Sequence, residues 1–79
     1  MKTYLLNELE IGKKAKIHSV NCSDDLKRRL LDLGIVKNSI ISAILKSPSG
    51  DPTAYEIRGT VLAIRENDAK DISITIDFQ

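Results

Sequence analysis

The stretch Ser23-Asp24-Asp25-Leu26-Lys27-Arg28-Arg29-Leu30-Leu31-Asp32-Leu33-Gly34-Ile35 reads as one short helix with both of its ends encoded. Ser23 or Asp24 is placed to accept from the orphan amides of the first turn, and the two aspartates favour the positive end of the helix dipole. Leu26, Leu30 and Leu33 recur at helical spacing. Gly34 takes the left-handed conformation that ends a helix at low cost, and Ile35 is then positioned to pack back on the last turn.

Short strands lie on both sides of this helix. Upstream, Ala15, Ile17 and Ser19 alternate with Lys14, Lys16 and His18, so Lys14 to Val20 is expected to form the first strand, entered through a turn at Ile11-Gly12. Downstream, Val36-Lys37-Asn38-Ser39 is a turn in which Asn38 tolerates positive φ. It leads into Ile40 to Leu45, whose apolar side chains fall at both parities and predict a strand covered on both faces. Ser47-Pro48-Ser49-Gly50-Asp51-Pro52 has loop composition. Tyr55 to Arg58 and Val61 to Arg65 read as strands flanking Gly59, Glu66 to Lys70 as one helical turn or a tight connection, and Ile72 to Phe78 as a half-buried final strand.

Five short strands with one short α-helix inserted after the first imply a mostly β fold, a small bent sheet closing into a five-stranded SH3-like barrel. The pattern by itself leaves an OB-like barrel open. With 79 residues the chain is expected to be a single domain, residues 1–79, with a modest core and no deep pocket.

Composition narrows the function classes. The net charge of +1 argues against a nucleic-acid binder, although 9 basic against 5 acidic residues in positions 1–46, and 3 against 6 in positions 47–79, polarise the chain. Three aromatics, Tyr4, Tyr55 and Phe78, are too few for a polyproline-reading groove or for base-stacking platforms. One cysteine excludes an intramolecular disulfide and fits a reducing compartment. No apolar run is long enough for a signal peptide or a bilayer span, so a cytoplasmic protein is expected.

No glycine sits in a phosphate-cradling strand-to-helix turn, which argues against nucleotide hydrolysis by this chain alone. A Cys22–His18 dyad has no third group to orient the base, and the chain is not expected to be an enzyme. His18, Cys22, Asp24 and Asp25 mix soft and hard metal ligands near the start of the helix. His18 is the only histidine, and the aspartates already serve the helix start, so these are weak metal candidates and no cofactor is expected. Asp24 with Arg28, Asp25 with Arg29 and Arg28 with Asp32 stand four apart, a spacing that suits surface ion pairs.

Leu26 to Ile35, the loop Ser47 to Pro52, Tyr55-Glu56-Ile57-Arg58-Gly59 and Leu62-Ala63-Ile64-Arg65, in that order, resemble the FeoA family. The resemblance runs from Leu6-Asn7-Glu8-Leu9 with Gly12 to Ile74. It implies an SH3-like barrel and the role of a small cytoplasmic accessory in bacterial ferrous iron uptake. Its implied partner is FeoB, a membrane transporter with a cytoplasmic GTP-binding domain, so the chain would meet the inner membrane only through that transporter. Two departures stand out: Val36-Lys37-Asn38 replaces a common Thr-Pro-Gly, and Thr53-Ala54 separates Pro52 from Tyr55.

Two partner surfaces are expected. One is the helix and its exit, Leu26, Arg28, Arg29, Leu33 and Gly34; the other is Ser49, Gly50, Asp51 and Pro52 with Tyr55 and Arg58. The alternative is a metal-responsive interaction module related to the SH3-like domains that end iron-dependent repressors; no DNA-reading domain precedes it here, which favours the transporter accessory. A third class, an RNA-binding small barrel, conflicts with the near-neutral charge. Exposed sheet edges also imply weak self-association.

Overall fold

The computed structural model describes residues 2–76. Its elements are β1 (Thr3–Leu5), a 3₁₀ turn (Leu6–Glu8), β2 (Lys14–Val20), α1 (Asp24–Asp32), β3 (Ile40–Lys46), β4 (Thr53–Ile57), β5 (Thr60–Ile64), α2 (Glu66–Ala69) and β6 (Ile72–Thr75). The strands form one antiparallel sheet in the order β1-β6-β2-β3-β4-β5. The fold is mostly β and SH3-like, with six strands where five were expected. The extra strand, β1, has three residues, all exposed, so it carries no inside–outside alternation for a sequence reading to detect. The longer helix consequently follows the second strand.

Two irregularities curl the sheet. β2 pairs with β3 through Lys14–Lys16 and with β6 through Lys16–Val20, and its register shifts between Ile17 and Ser19. A second shift interrupts the β3–β4 ladder between Ala43 and Leu45. Extra residues of this kind bend a strand and increase its twist, which lets so short a sheet wrap a core.

That core is built from β-branched and leucine side chains. Ile17, Ile41, Ile57, Ile64, Ile72, Ile74, Leu6, Leu30 and Ile35 are almost fully buried. Strand β3 departs from expectation: Ile41 and Ala43 face inward, but Ile40, Ile44 and Leu45 are exposed. Only one face of β3 is covered, because the described residues supply a single layer inside the curled sheet and none of them buries Ile40, Ile44 or Leu45 on its outside.

The ends of α1 follow the sequence. Ser23 Oγ accepts from the Leu26 amide at 3.4 Å. At the other end the Ile35 amide donates to Leu30 O at 2.8 Å and the Gly34 amide to Leu31 O at 2.9 Å, with Gly34 at φ +78°. This paired arrangement satisfies two orphan carbonyls and drives Ile35 under Leu30. Leu33 does not continue the stripe of Leu26 and Leu30; it sits at the helix end and is 42% exposed.

Arg58 and Gly59 form the two-residue link between β4 and β5, both at positive φ, +52° and +81°. That geometry matches the twist of a tight hairpin. The expected single turn after β5 is α2, and the final strand spans Ile72–Thr75. Phe78, assigned to that strand from the sequence, lies outside the described residues.

Candidate functional site

α1 lies alongside β5. At its start, Ser23, Asp25, Leu26 and Arg29 share a cleft of about 210 Å³ with Ala63, Ile64, Arg65 and Asp68. At its exit, a β-carbon built on Gly34 would stand 3.7 Å from Arg58 Nε. The helix therefore bridges the two ends of β5, and the arginine of the hairpin turn leans on the backbone where α1 stops.

This placement regroups the expected surfaces. Arg28, Arg29, Leu33 and Gly34 are exposed on α1 and its exit, and Arg58 joins them instead of the loop. Leu26 and Tyr55 are largely withdrawn from the surface, at 7% and 2% exposure, and contribute to the core, Leu26 keeping only an edge in the cleft beside Arg29. Arg58 and the Ser49–Pro52 loop lie at opposite ends of β4, a five-residue strand that spans roughly 16 Å.

The loop is built by its own hydrogen bonds. The Gly50 amide donates to Ser47 O at 2.8 Å with Gly50 at φ +92°, Ser49 Oγ donates to Asp51 O at 3.1 Å, and the Asp51–Pro52 peptide is cis. Asp51 Oδ1 reaches across the chain to accept from the Glu66 amide at 2.9 Å. Asp51 thus serves the first turn of α2, where a carboxylate is favoured by the dipole and by the free amides. Among the residues singled out in the loop, its side chain has a defined structural task.

The helix charges are left available. None of the three pairs four residues apart closes into an ion pair among the described residues. Long side chains at a wet surface gain little by pairing, so Arg28 and Arg29 remain free to meet an external group. Sequence reasoning missed Arg65, which β5 delivers to the same cleft as Arg29. It also missed Leu31 and Val36, 59% and 52% exposed beside the helix exit. Their signal was present: Leu31 falls off the Leu26–Leu30 stripe, and Val36 follows the residue that seals the helix end.

The metal candidates do not assemble. Among the described residues no group of three or more His, Cys, Asp or Glu side chains is arranged to hold a metal ion. His18 is half-buried at the bulge of β2, and Cys22 is buried. Burial pushes the Cys22 thiol up from its ordinary value, and nearby Asp68 pushes it further. Burial likewise pushes the Tyr55 hydroxyl up, opposed by the neighbouring Thr53 side chain. A buried thiol held in its neutral form is a poor nucleophile and a poor metal ligand at neutral pH.

Comparison with known proteins adds a family to this geometry. The model of the FeoA domain matches residues 4–76. The chain belongs to the FeoA family. An Fe(2+) transport protein A of Campylobacter jejuni is 34% identical over 71 residues, covering 90% of this chain and 96% of the relative. A fusion of Fe(2+) transport protein A with the Fe(2+) transporter FeoB, from Porphyromonas gingivalis, is 30% identical over 90% of this chain, which spans 8% of the fusion.

Solved structures agree. FeoA of Chlorobium tepidum superposes with a TM-score of 0.88 at 33% identity, over 95% of this chain and 71% of that one. FeoA of Stenotrophomonas maltophilia, solved with zinc and described as a prokaryotic SH3 domain protein, gives 0.77 at 31% identity over 90% and 88%. IdeR of T. acidophilum gives 0.78 at 20% identity, over 98% of this chain and 35% of that one, a likeness of fold alone. The FeoA family is associated with Fe(2+) transport, and no helix among the described residues is long and apolar enough to cross a membrane.

Proposed function

We propose that this FeoA-family chain is a cytoplasmic accessory of ferrous iron uptake that acts by docking the cytoplasmic GTP-binding part of a FeoB-type transporter. The observation that carries this reading is the Porphyromonas fusion, in which a domain like this one shares a polypeptide with FeoB. Two proteins that are fused in one organism are placed permanently at high effective concentration, as suits partners that must meet.

The surface that fits the task is α1 with its exit: Arg28, Arg29, Leu33, Gly34 and Arg58. It combines exposed leucine with cations that form no ion pair with a described residue, on a backbone held by the Gly34 turn. The loop Ser49–Pro52, at the other end of β4, offers a second contact. In this reading the chain performs no chemistry and holds no cofactor; it contributes a shaped, positively charged surface. Iron is the cargo of the transporter.

The experiment is capture of the purified transporter domain on immobilised chain, with native residues and with Arg28→Ala/Arg29→Ala. Saturable binding is expected, and the double substitution is expected to abolish it while circular dichroism stays the same. Equal capture by both forms rejects the arginine contact, and no capture of either the domain or the intact transporter rejects the docking role.

A metal-responsive module is the second reading, prompted by the zinc-bound Stenotrophomonas relative. Ferrous titration of the purified chain separates the two, since a sensor shifts its spectrum with metal alone and a docking accessory does not.

A further inference from the structure

The turn that closes α1 also builds a groove. Reversal at Gly34 buries Ile35 beneath Leu30 and brings Val36 up beside Leu31. Between them, with Val20 contributing from β2, lies an open groove of about 240 Å³ whose apolar lining is edged by Lys27 and Lys37.

Three features set it apart from an ordinary surface depression. First, the two large apolar side chains at its rim are mostly exposed, Leu31 at 59% and Val36 at 52%, on a helix whose buried stripe is already supplied by Leu26 and Leu30. A position four residues after Lys27 on this flank needs no leucine for folding. Second, the groove is preformed. The Val36 amide donates to Ser39 Oγ at 3.0 Å, the Ser39 amide donates to Val36 O at 3.0 Å, and the Asn38 amide donates to Ile17 O at 2.7 Å with Asn38 at φ +77°. Third, the only charged residues in its lining are the two lysines, and neither forms an ion pair with a described residue.

The volume is below the roughly 300–1,000 Å³ of small-molecule sites. It suits one or two apolar side chains presented by another protein. The lysines specify the rest of the ligand, because an apolar segment flanked by carboxylates gains on both counts and one flanked by cations is repelled.

We infer that the groove between Leu31 and Val36 is the seat for an acidic, apolar segment of the transporter's cytoplasmic part. This deepens the docking role and rests on it. Leu31 and Val36 hold the segment's apolar side chain against Leu30, Ile35 and Val20. Lys27 and Lys37 meet its carboxylates and set the salt dependence of association. The arginines of the neighbouring surface then act as a second contact on the same helix.

The test uses the intact FeoB-type transporter in nanodiscs and the full chain in three forms: native, Leu31→Ser/Val36→Ser, and Lys27→Glu/Lys37→Glu. All four positions are wholly or partly exposed, so melting curves are expected to overlap. Loss of the two apolar side chains is expected to weaken binding by at least about tenfold, as for side chains at the centre of an interface. The charge-reversed form is expected to bind more weakly and to lose the decline in affinity that added salt causes in the native chain. Native binding that both variants retain overturns the groove and leaves the docking role standing. No native binding removes both. A concentration series of the chain alone supplies the remaining arm: amide shifts at Leu31 and Val36 on self-titration assign the groove to a second copy and overturn the inference.

Discussion

Arg58 Nε lies 3.7 Å from the point where Gly34 would carry a β-carbon, so the hairpin turn of β4–β5 is seated on the exit of α1. Two turns that each demand positive φ, one at Gly34 and one at Arg58-Gly59, are thereby packed against each other. A cation beside the last carbonyls of a helix is also favoured by the dipole. This contact joins the helix to the sheet at the place where the docking surface is centred.

Replacement of Gly34 tests the conformational half of that contact. A β-carbon there meets Arg58 at ordinary van der Waals distance, so space is not limiting and the cost comes from φ +78°. Gly34→Ala is expected to destabilise the chain by about 1–2 kcal/mol, and Gly34→Asn, which tolerates the left-handed region, by less. Thermal melts of the two variants should rank in that order, and equal midpoints would contradict it.

Removal of the Asp51 carboxylate tests the tie between the loop and α2. The bond from the Glu66 amide to Asp51 Oδ1 spans fifteen residues. Its loss in Asp51→Ala is expected to cost about 0.5–2 kcal/mol, the range for a helix N-terminal acceptor. Asp51→Asn keeps an acceptor oxygen and should lose less. Urea unfolding measures the difference, and hydrogen exchange at the Glu66 amide should accelerate in the alanine variant.

Much of this architecture is legible in the sequence because the signals are local. Ser23, Gly34 and Asn38 each announce a backbone conformation, and the structure places a cap or a positive φ at all three. The isoleucine alternation after Asp71 likewise marks a strand. What escaped depends on partners distant in the chain. β1 is three exposed residues defined by pairing with β6, and the outer face of β3 is bare because the described residues form no second layer. The same limit applies to the site. Leu26 and Tyr55 look like surface motif residues until packing buries them, and Arg58 belongs with Gly34 rather than with its sequence neighbours in the loop. Proximity across twenty-four positions has no local signature.

Alkaline pH is expected to weaken the fold. Cys22 and Tyr55 both have their proton affinity raised by burial, so the unfolded chain releases these protons before the folded chain does. The stability they contribute is complete below the ordinary thiol value of 9.0 and is lost as pH rises through the higher folded-state values. Melting midpoints should hold up to about pH 8 and then fall. Cys22→Ala should lower stability at neutral pH and flatten the first part of the alkaline decline; an unchanged decline would assign it to Tyr55 or elsewhere.

The arginines of α1 should matter for binding and not for folding. Arg28 and Arg29 are exposed and form no ion pair with a described residue. Arg28→Ala/Arg29→Ala is therefore expected to leave stability within about 0.5 kcal/mol per site. A large loss of stability would show that they support the helix instead.

The most direct test of the docking role is titration of the isotopically labelled chain with the soluble GTP-binding domain of the transporter, with and without a non-hydrolysable GTP analogue. Saturable amide shifts are expected along Lys27–Lys37 and at Arg58, with the sheet interior around Ile41 and Ile74 unmoved. A spectrum unchanged at saturating partner, with and without nucleotide, would contradict it.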